Sequence, residues 1–271
     1  MSNSREGFAA TIERFSGFAD DYNCHRPIPP QALAALLTQI AQCPEPALVV
    51  DLGSGTGLST RYWVGKAERV IGIEPSADMR RIAIERSPMA NLQFLDGLSH
   101  HTDLPGGGAQ IVTCMQSLHW MEPRGTFEEA RRLLCPGGVF AAIDYDWPPV
   151  TGSWKADLAW RQCNEHAARL EATIAPDRRA RRWDKTQHLS RMEQSGCFRF
   201  TREVLMHHID QGNAERHVGL LRSQGGVMDL LKAGHSSMEL GIEALELISK
   251  AELGSIAQPW FWSARVRLGV V

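Results

Sequence analysis

The sequence predicts an α/β protein: a doubly wound, mostly parallel sheet with an antiparallel C-terminal strand and helical cap insertions. Three observations carry that expectation. Short, continuously apolar runs alternate with helix-like stretches between Leu48 and Asp144, as strands covered on both faces do. A glycine-rich turn, D-L-G-S-G-T-G, follows the first of those runs at Asp51. After Asp146 the alternation gives way to long helical intervals separated by only two further strand-like runs.

In chain order, Pro30 opens QALAALLTQIAQC, whose Leu33, Leu36, Leu37 and Ile40 share one helical face before Pro44 and Pro46 end it. Strands are expected at Leu48 to Leu52, Arg69 to Glu74, Leu92 to Leu95, Gln110 to Met115 and Gly138 to Asp144. Helices fall between them at Ser59 to Lys66, Ser76 to Arg86 and Thr126 to Leu134, the last stopped by Cys135-Pro136-Gly137-Gly138. This alternation implies right-handed crossovers. The later strands are Arg199 to Ile209 and Trp260 to Val270. Helices over Trp154 to Ile174, Asp184 to Gln194, Ala214 to Ser223 and Ser237 to Lys250 fill the intervals. The chain thus reads as one domain, residues 1–271, with a core over 30–146 and 184–271 and cap insertions over 147–183 and 212–256.

A formal net charge of −2 over 271 residues leaves no electrostatic footprint for nucleic acid or an anionic membrane. The opening MSNSREGFAATIERF lacks the apolar stretch of a secretory signal, and no segment approaches the ~18 apolar residues of a membrane span, so a cytoplasmic protein with no membrane partner is expected. Six cysteines without a C-x-x-C pair suggest buried thiols rather than zinc ligands or disulfides. His100-His101 with Asp103, and His207-His208, look superficially like metal sites. Neighbours on a strand point to opposite faces and neither group has a third ligand, so no metal is expected. The run DRRARRW, Asp177 to Trp183, reads as a solvated helix end or loop.

Gly53, Gly55 and Gly57 stand two apart directly after a strand. Missing Cβ atoms there let backbone approach a ligand, and a following helix offers free N–H groups to an anion. The dinucleotide fingerprint would place its third glycine one residue later. Glu74, at the end of the second strand, suits ribose hydroxyls of either a nicotinamide dinucleotide or a methyl-donor nucleoside, so the turn alone leaves both open.

The ordered motifs D-L-G-S-G-T-G, V-I-G-I-E-P-S, F-L-D-G, Q-S-L-H-W-M and L-L-C-P-G-G-V-F closely resemble the Rossmann-like class I S-adenosylmethionine-dependent methyltransferases, above all their small-molecule (methyltransferase type 11) branch. The resemblance spans Ala47 to Asp146. FADDYNCHRPIPP is similar to an N-terminal F...Y...RP element in relatives of trans-aconitate methyltransferase, and PWFWSARVRLGVV to the closing strand of such proteins. The resemblance implies S-adenosyl-L-methionine as cofactor. It implies Gly53, Ser54, Gly55 and Gly57 along its methionine part, with Asp51 acting through the loop, and Glu74 on the ribose. Pro75, Ser76 and Met79 would border the adenine, Asp96 beside Gly97 would accept from its amine, and Gln116 would offer a backbone carbonyl to the donor's ammonium. Tyr22 and Arg26 could close over the donor, Arg26 as a planar fork on the carboxylate.

Methyl transfer from a sulfonium is an in-line displacement that needs placement and a dry pocket, and a general base only if the nucleophile carries a proton. His119 and Tyr145, at the C-terminal edge of the sheet, are the candidates for catalytic and substrate contacts. His119 could equally shape the pocket, and Tyr145 could simply pack. Trp120, Trp154, Trp160 and His166 are candidate substrate contacts; with Trp147, Trp183, Trp260 and Trp262 they suggest a small aromatic or apolar metabolite under a cap. Q-S-L-H-W stands where catechol-type methyltransferases carry an acidic metal ligand, and D-W-P-P follows the fifth strand, where the N/D-P-P-Y motif of nucleic-acid enzymes does not occur. Exposed cap helices leave room for a homodimer. Two alternatives stay open: a related fold that binds the donor without transferring methyl, as a cyclase or binding module, and an NAD(P)-dependent oxidoreductase.

Overall fold

The computed structural model describes residues 8–14, 24–174 and 181–271. Seven strands form one sheet in the order β3-β2-β1-β4-β5-β7-β6. They are β1 (Leu48–Leu52), β2 (Arg69–Ile73), β3 (Leu92–Leu95), β4 (Ala109–Met115), β5 (Leu134–Tyr145), β6 (Phe200–Gly212) and β7 (Gln258–Val270). All neighbours from β3 to β5 pair in parallel, whereas β7 runs antiparallel to both β5 and β6. This is the doubly wound, Rossmann-like arrangement that the alternating runs predict, with the antiparallel strand at its expected place.

Helices cover the sheet on both faces. In chain order they are α1 (Ala9–Arg14), α2 (Leu33–Ile40), α3 (Leu58–Arg61), α4 (Ala77–Glu85), α5 (Pro123–Leu133), α6 (Trp154–Glu171), α7 (His188–Gln194), α8 (Ala214–Arg222), α9 (Gly225–Lys232) and α10 (Ile242–Leu253). On one face Val49, Ile111, Ile143 and Val266 pack with Leu33 and Leu37 of α2. On the other, Val50, Val112 and Ala142 pack with Phe127, Ala130 and Leu133 of α5 and Met192 of α7. Strand alternation thus serves two cores at once, which is why β1, β2 and β4 read as largely apolar runs.

The cap has its own apolar centre, in which Trp160 and Cys163 of α6 meet Val218 and Leu221 of α8, Leu230 of α9 and Leu245 of α10. Trp147 touches both this cluster and the sheet core, stacking 6.0 Å from the Trp160 ring and edge-on to Trp262 at 5.2 Å. Among the described residues no helix is long and apolar enough to cross a membrane.

Candidate active site

β1 ends in a completely buried carboxylate, Asp51. It accepts from Ser59 Oγ at 2.6 Å and Thr60 Oγ1 at 2.7 Å on α3, and from Thr113 Oγ1 at 2.8 Å on β4. Burial pushes its pKa up while the three hydroxyls pull it back. Asp51 therefore fixes both ends of the glycine turn to the sheet, and any influence on a ligand passes through that turn.

Within the turn Gly53, Gly55 and Gly57 all have positive φ, at 67°, 55° and 80°. A Cβ on Gly53 would lie 2.5 Å from Met121 Cε and 2.8 Å from Ser117 Cβ, and one on Gly57 would lie 2.8 Å from Phe94 Cζ. Gly55 faces open space, with nothing within 4 Å. Two of the glycines thus serve packing, and the third leaves room for a ligand. Gly53 and Ser54 both donate their backbone N–H to the Ile73 carbonyl, which lashes the turn to the end of β2.

One residue beyond β2, Glu74 is buried. Its Oε2 accepts from Gly55 N at 2.9 Å and its Oε1 from Ser76 N at 2.8 Å. Burial raises its pKa to about 7 against the pull of those two N–H groups and of Arg80. Ser76 caps α4, its Oγ accepting from Met79 N. Asp96 is exposed and paired with Arg80 at 3.2 Å.

A cleft with an empty volume of about 1130 Å³, open mouth included, lies along the C-terminal edge of β1, β2 and β4. Open parallel sheets bind their ligands at such an edge. Gly53, Ser54, Gly55, Glu74, Pro75 and Met79 form one wall, and Gly97, Gln116, Trp120 and Arg26 contribute elsewhere. Asp51, Gly57 and Ser76 stand behind this lining and hold it, whereas Asp96, expected at the adenine, lies outside it, exposed. Ser54 Oγ and Gln116 Nε2 are buried without a hydrogen-bond partner. The orphaned Ser54 Oγ, the open side of Gly55 and the carboxylate of Glu74 together suit a nucleoside carrying a polar amino-acid tail.

Several expected contacts lie elsewhere. His119 is buried and does not line the cleft; its Nδ1 is 3.8 Å from Asp144 Oδ1, and burial followed by the charges of Lys185 and Arg182 drives its pKa well below the ordinary value. Tyr145 is buried against Trp262 and donates its hydroxyl to the Ile28 carbonyl, so it anchors the segment before α2 instead of facing substrate. Trp154 is 71% exposed on the outer face of the cap. Trp160 fills the cap core, and His166 bonds the Glu239 carbonyl at 3.1 Å within the cap. These are corrections: each side chain is committed to packing or to a partner away from the cleft. Tyr22 lies outside the described residues, as does part of the arginine run.

Other residues take those places. Phe8, just before α1, and Thr11 and Ile12 within it, with Pro27 and Pro29, close the cleft from outside the sheet. Met115, Ser117 and Met121 form its floor beside Trp120, and His100 is the imidazole on its wall, 5.6 Å from the Phe8 ring. The only sequence signal for His100 is its position just after F-L-D-G, where the chain leaves β3 at the binding edge.

Comparison with known proteins agrees with this geometry. The family described as methyltransferase domain matches residues 50–142. The erythromycin 3''-O-methyltransferase of Saccharopolyspora erythraea is 37% identical over 123 residues, covering 42% of this chain and 40% of that protein. A Dictyostelium discoideum protein described as a candidate methyltransferase is 26% identical over 147 residues, 54% of each chain. The chain thus spans about half the length of the curated relatives it matches. A solved structure from Anaeromyxobacter dehalogenans, described as a candidate type II methyltransferase, superposes with a TM-score of 0.65 at 19% identity, over 90% of this chain and 97% of that one.

Proposed function

We propose that this chain, whose residues 50–142 match a methyltransferase domain, is a class I methyltransferase that transfers the methyl group of S-adenosyl-L-methionine to a small, largely apolar metabolite. The observation that carries the reading is the open face of Gly55 beside the Glu74 carboxylate at the binding edge of the sheet. When bound there, the donor supplies an electrophilic methyl on a sulfonium, which a nucleophile takes in line.

The protein's own contribution is placement. Backbone of Gly53 to Gly55 runs along the methionine part, with Arg26 forking onto its carboxylate and the Gln116 carbonyl receiving its ammonium. Glu74 takes the ribose hydroxyls in its ionised form, and Pro75 and Met79 border the base. On the acceptor side Met115, Trp120, Met121 and the two prolines exclude water. Where the nucleophile carries a proton, His100 is the imidazole on the wall of the cleft to receive it. The similarity to an antibiotic O-methyltransferase supports a small-molecule acceptor. The two cap segments belong, in this reading, to one domain with the sheet.

Incubation with trideuteromethyl-labelled S-adenosylmethionine and a small-metabolite extract tests the reading. A labelled product, with S-adenosylhomocysteine released in proportion, is expected. S-adenosylhomocysteine binding without label in any product would favour the non-transferring alternative.

A further inference from the structure

Gln116 is unusual in three respects. It follows β4 with φ at 54°, a backbone conformation that costs a non-glycine residue energy and persists only where the surroundings enforce it. Its own N–H donates to the Ile143 carbonyl at 2.8 Å, which holds the strained residue in place. Its side chain receives a 2.8 Å hydrogen bond at Oε1 from Lys185 Nζ, and Nε2 is buried with no partner.

The first side-chain bond settles the second. An ammonium can only donate, so the amide oxygen must face Lys185 and the amide nitrogen must face away. Lys185 is itself fixed by an ion pair with buried Asp144 at 2.8 Å, and Asp144 is held in turn by Arg267 at 3.0 Å. The amide therefore cannot flip without breaking a charge-assisted bond. What remains is a desolvated N–H donor on a residue that lines the cleft. A buried donor without a partner costs about 1 to 3 kcal/mol, which a ligand oxygen in that place would recover.

The geometry points to Gln116 as a specificity-determining residue, its Nε2 donating to an oxygen of the methyl acceptor and Lys185 acting as the positioning residue that sets the amide's direction. The inference rests on the donor-site reading above. It selects acceptors that present a carbonyl, carboxylate or ether oxygen beside the methylated atom, and it disfavours pure hydrocarbons and amine donors at that point.

The full chain saturated with S-adenosylhomocysteine is titrated with acetophenone and with α-methylstyrene, near-isosteres that differ by a carbonyl oxygen. Acetophenone should bind at least about tenfold more tightly, the value of one hydrogen bond to a buried donor. It should also shift the Gln116 side-chain NH2 resonances. Gln116→Glu, which replaces the donor by an acceptor, and Gln116→Met, which removes it at similar volume, should both abolish the preference. Equal or absent binding of the two probes in the wild type overturns the inference. So does a preference that survives both substitutions. A fall in S-adenosylhomocysteine affinity in both variants overturns it too, since it would assign the amide to the methyl donor. Failure of S-adenosylhomocysteine to bind the wild type overturns the donor-site reading, and this one with it.

Discussion

Glu74 is caught between two demands, since burial favours its protonated form while ribose hydroxyls need the carboxylate. Its folded-state pKa of about 7 stands above the ordinary 4.5, so between those values the folded chain holds the extra proton and the unfolded chain does not. Stability from this group is therefore present below 4.5 and is lost as the pH rises through about 7. The total is on the order of 3 kcal/mol. Glu74→Gln should flatten the decline in unfolding free energy between pH 5 and 8, measured by urea titration at fixed pH; a slope like that of the wild type would exclude this assignment. In the wild type, S-adenosylhomocysteine should bind more tightly at pH 8 than at pH 6, because only the ionised form accepts both hydroxyls. Gln116 shows the same principle at a neutral group, where one neighbour's chemistry dictates which atom the cleft meets.

At the scale of elements, the glycine turn separates packing from recognition. Gly53→Ala meets Met121 and Ser117 below contact distance and should lower stability by about 2 kcal/mol, displacing the turn. Gly55→Ala meets nothing, and its cost to folding should be closer to 1 kcal/mol of backbone strain. Its methyl group instead occupies ligand space, so S-adenosylhomocysteine affinity should fall at least about tenfold while the melting temperature moves little. Calorimetry on both variants separates the effects; equal loss of affinity and stability in the two would contradict the division. Most of these elements were legible in the sequence, because central parallel strands buried on both faces must be apolar throughout. β5 begins at Leu134 rather than at the expected Gly138, since its pairing with β4 shifts register between Ala109 and Ile111 and absorbs the proline-glycine stretch. Helix α9 escaped notice because it opens on Gly225-Gly226, poor helix formers, and is held by burial of Val227, Met228 and Leu230. The donor side of the cleft follows from local spacing, the glycines and a strand-end carboxylate. Its acceptor side does not: His100 after β3 meets the cleft and His119 after β4 does not, because of how the two connections direct their side chains, and no spacing records that.

For the molecule as a whole, the cap is a second core bound to the first through Trp147. Trp160→Ala opens a cavity in it and should cost about 3 to 5 kcal/mol. Trp154→Ala, on the exposed outer face, should change stability by less than about 0.5 kcal/mol and leave the Michaelis constant for the acceptor unaltered. Thermal melting and steady-state kinetics check both; a raised Michaelis constant in Trp154→Ala would bring that ring back to the substrate. The sheet has a further consequence in time. β7 is the last of the seven strands in sequence, yet it lies inside the sheet between β5 and β6. During synthesis β6 therefore has no place to join until residues 258–270 have left the ribosome, and its exposed Phe200, Leu205 and Ile209 wait beside an incomplete edge. Pairing across so much sequence is slow, so closure of this edge is expected to come late in folding.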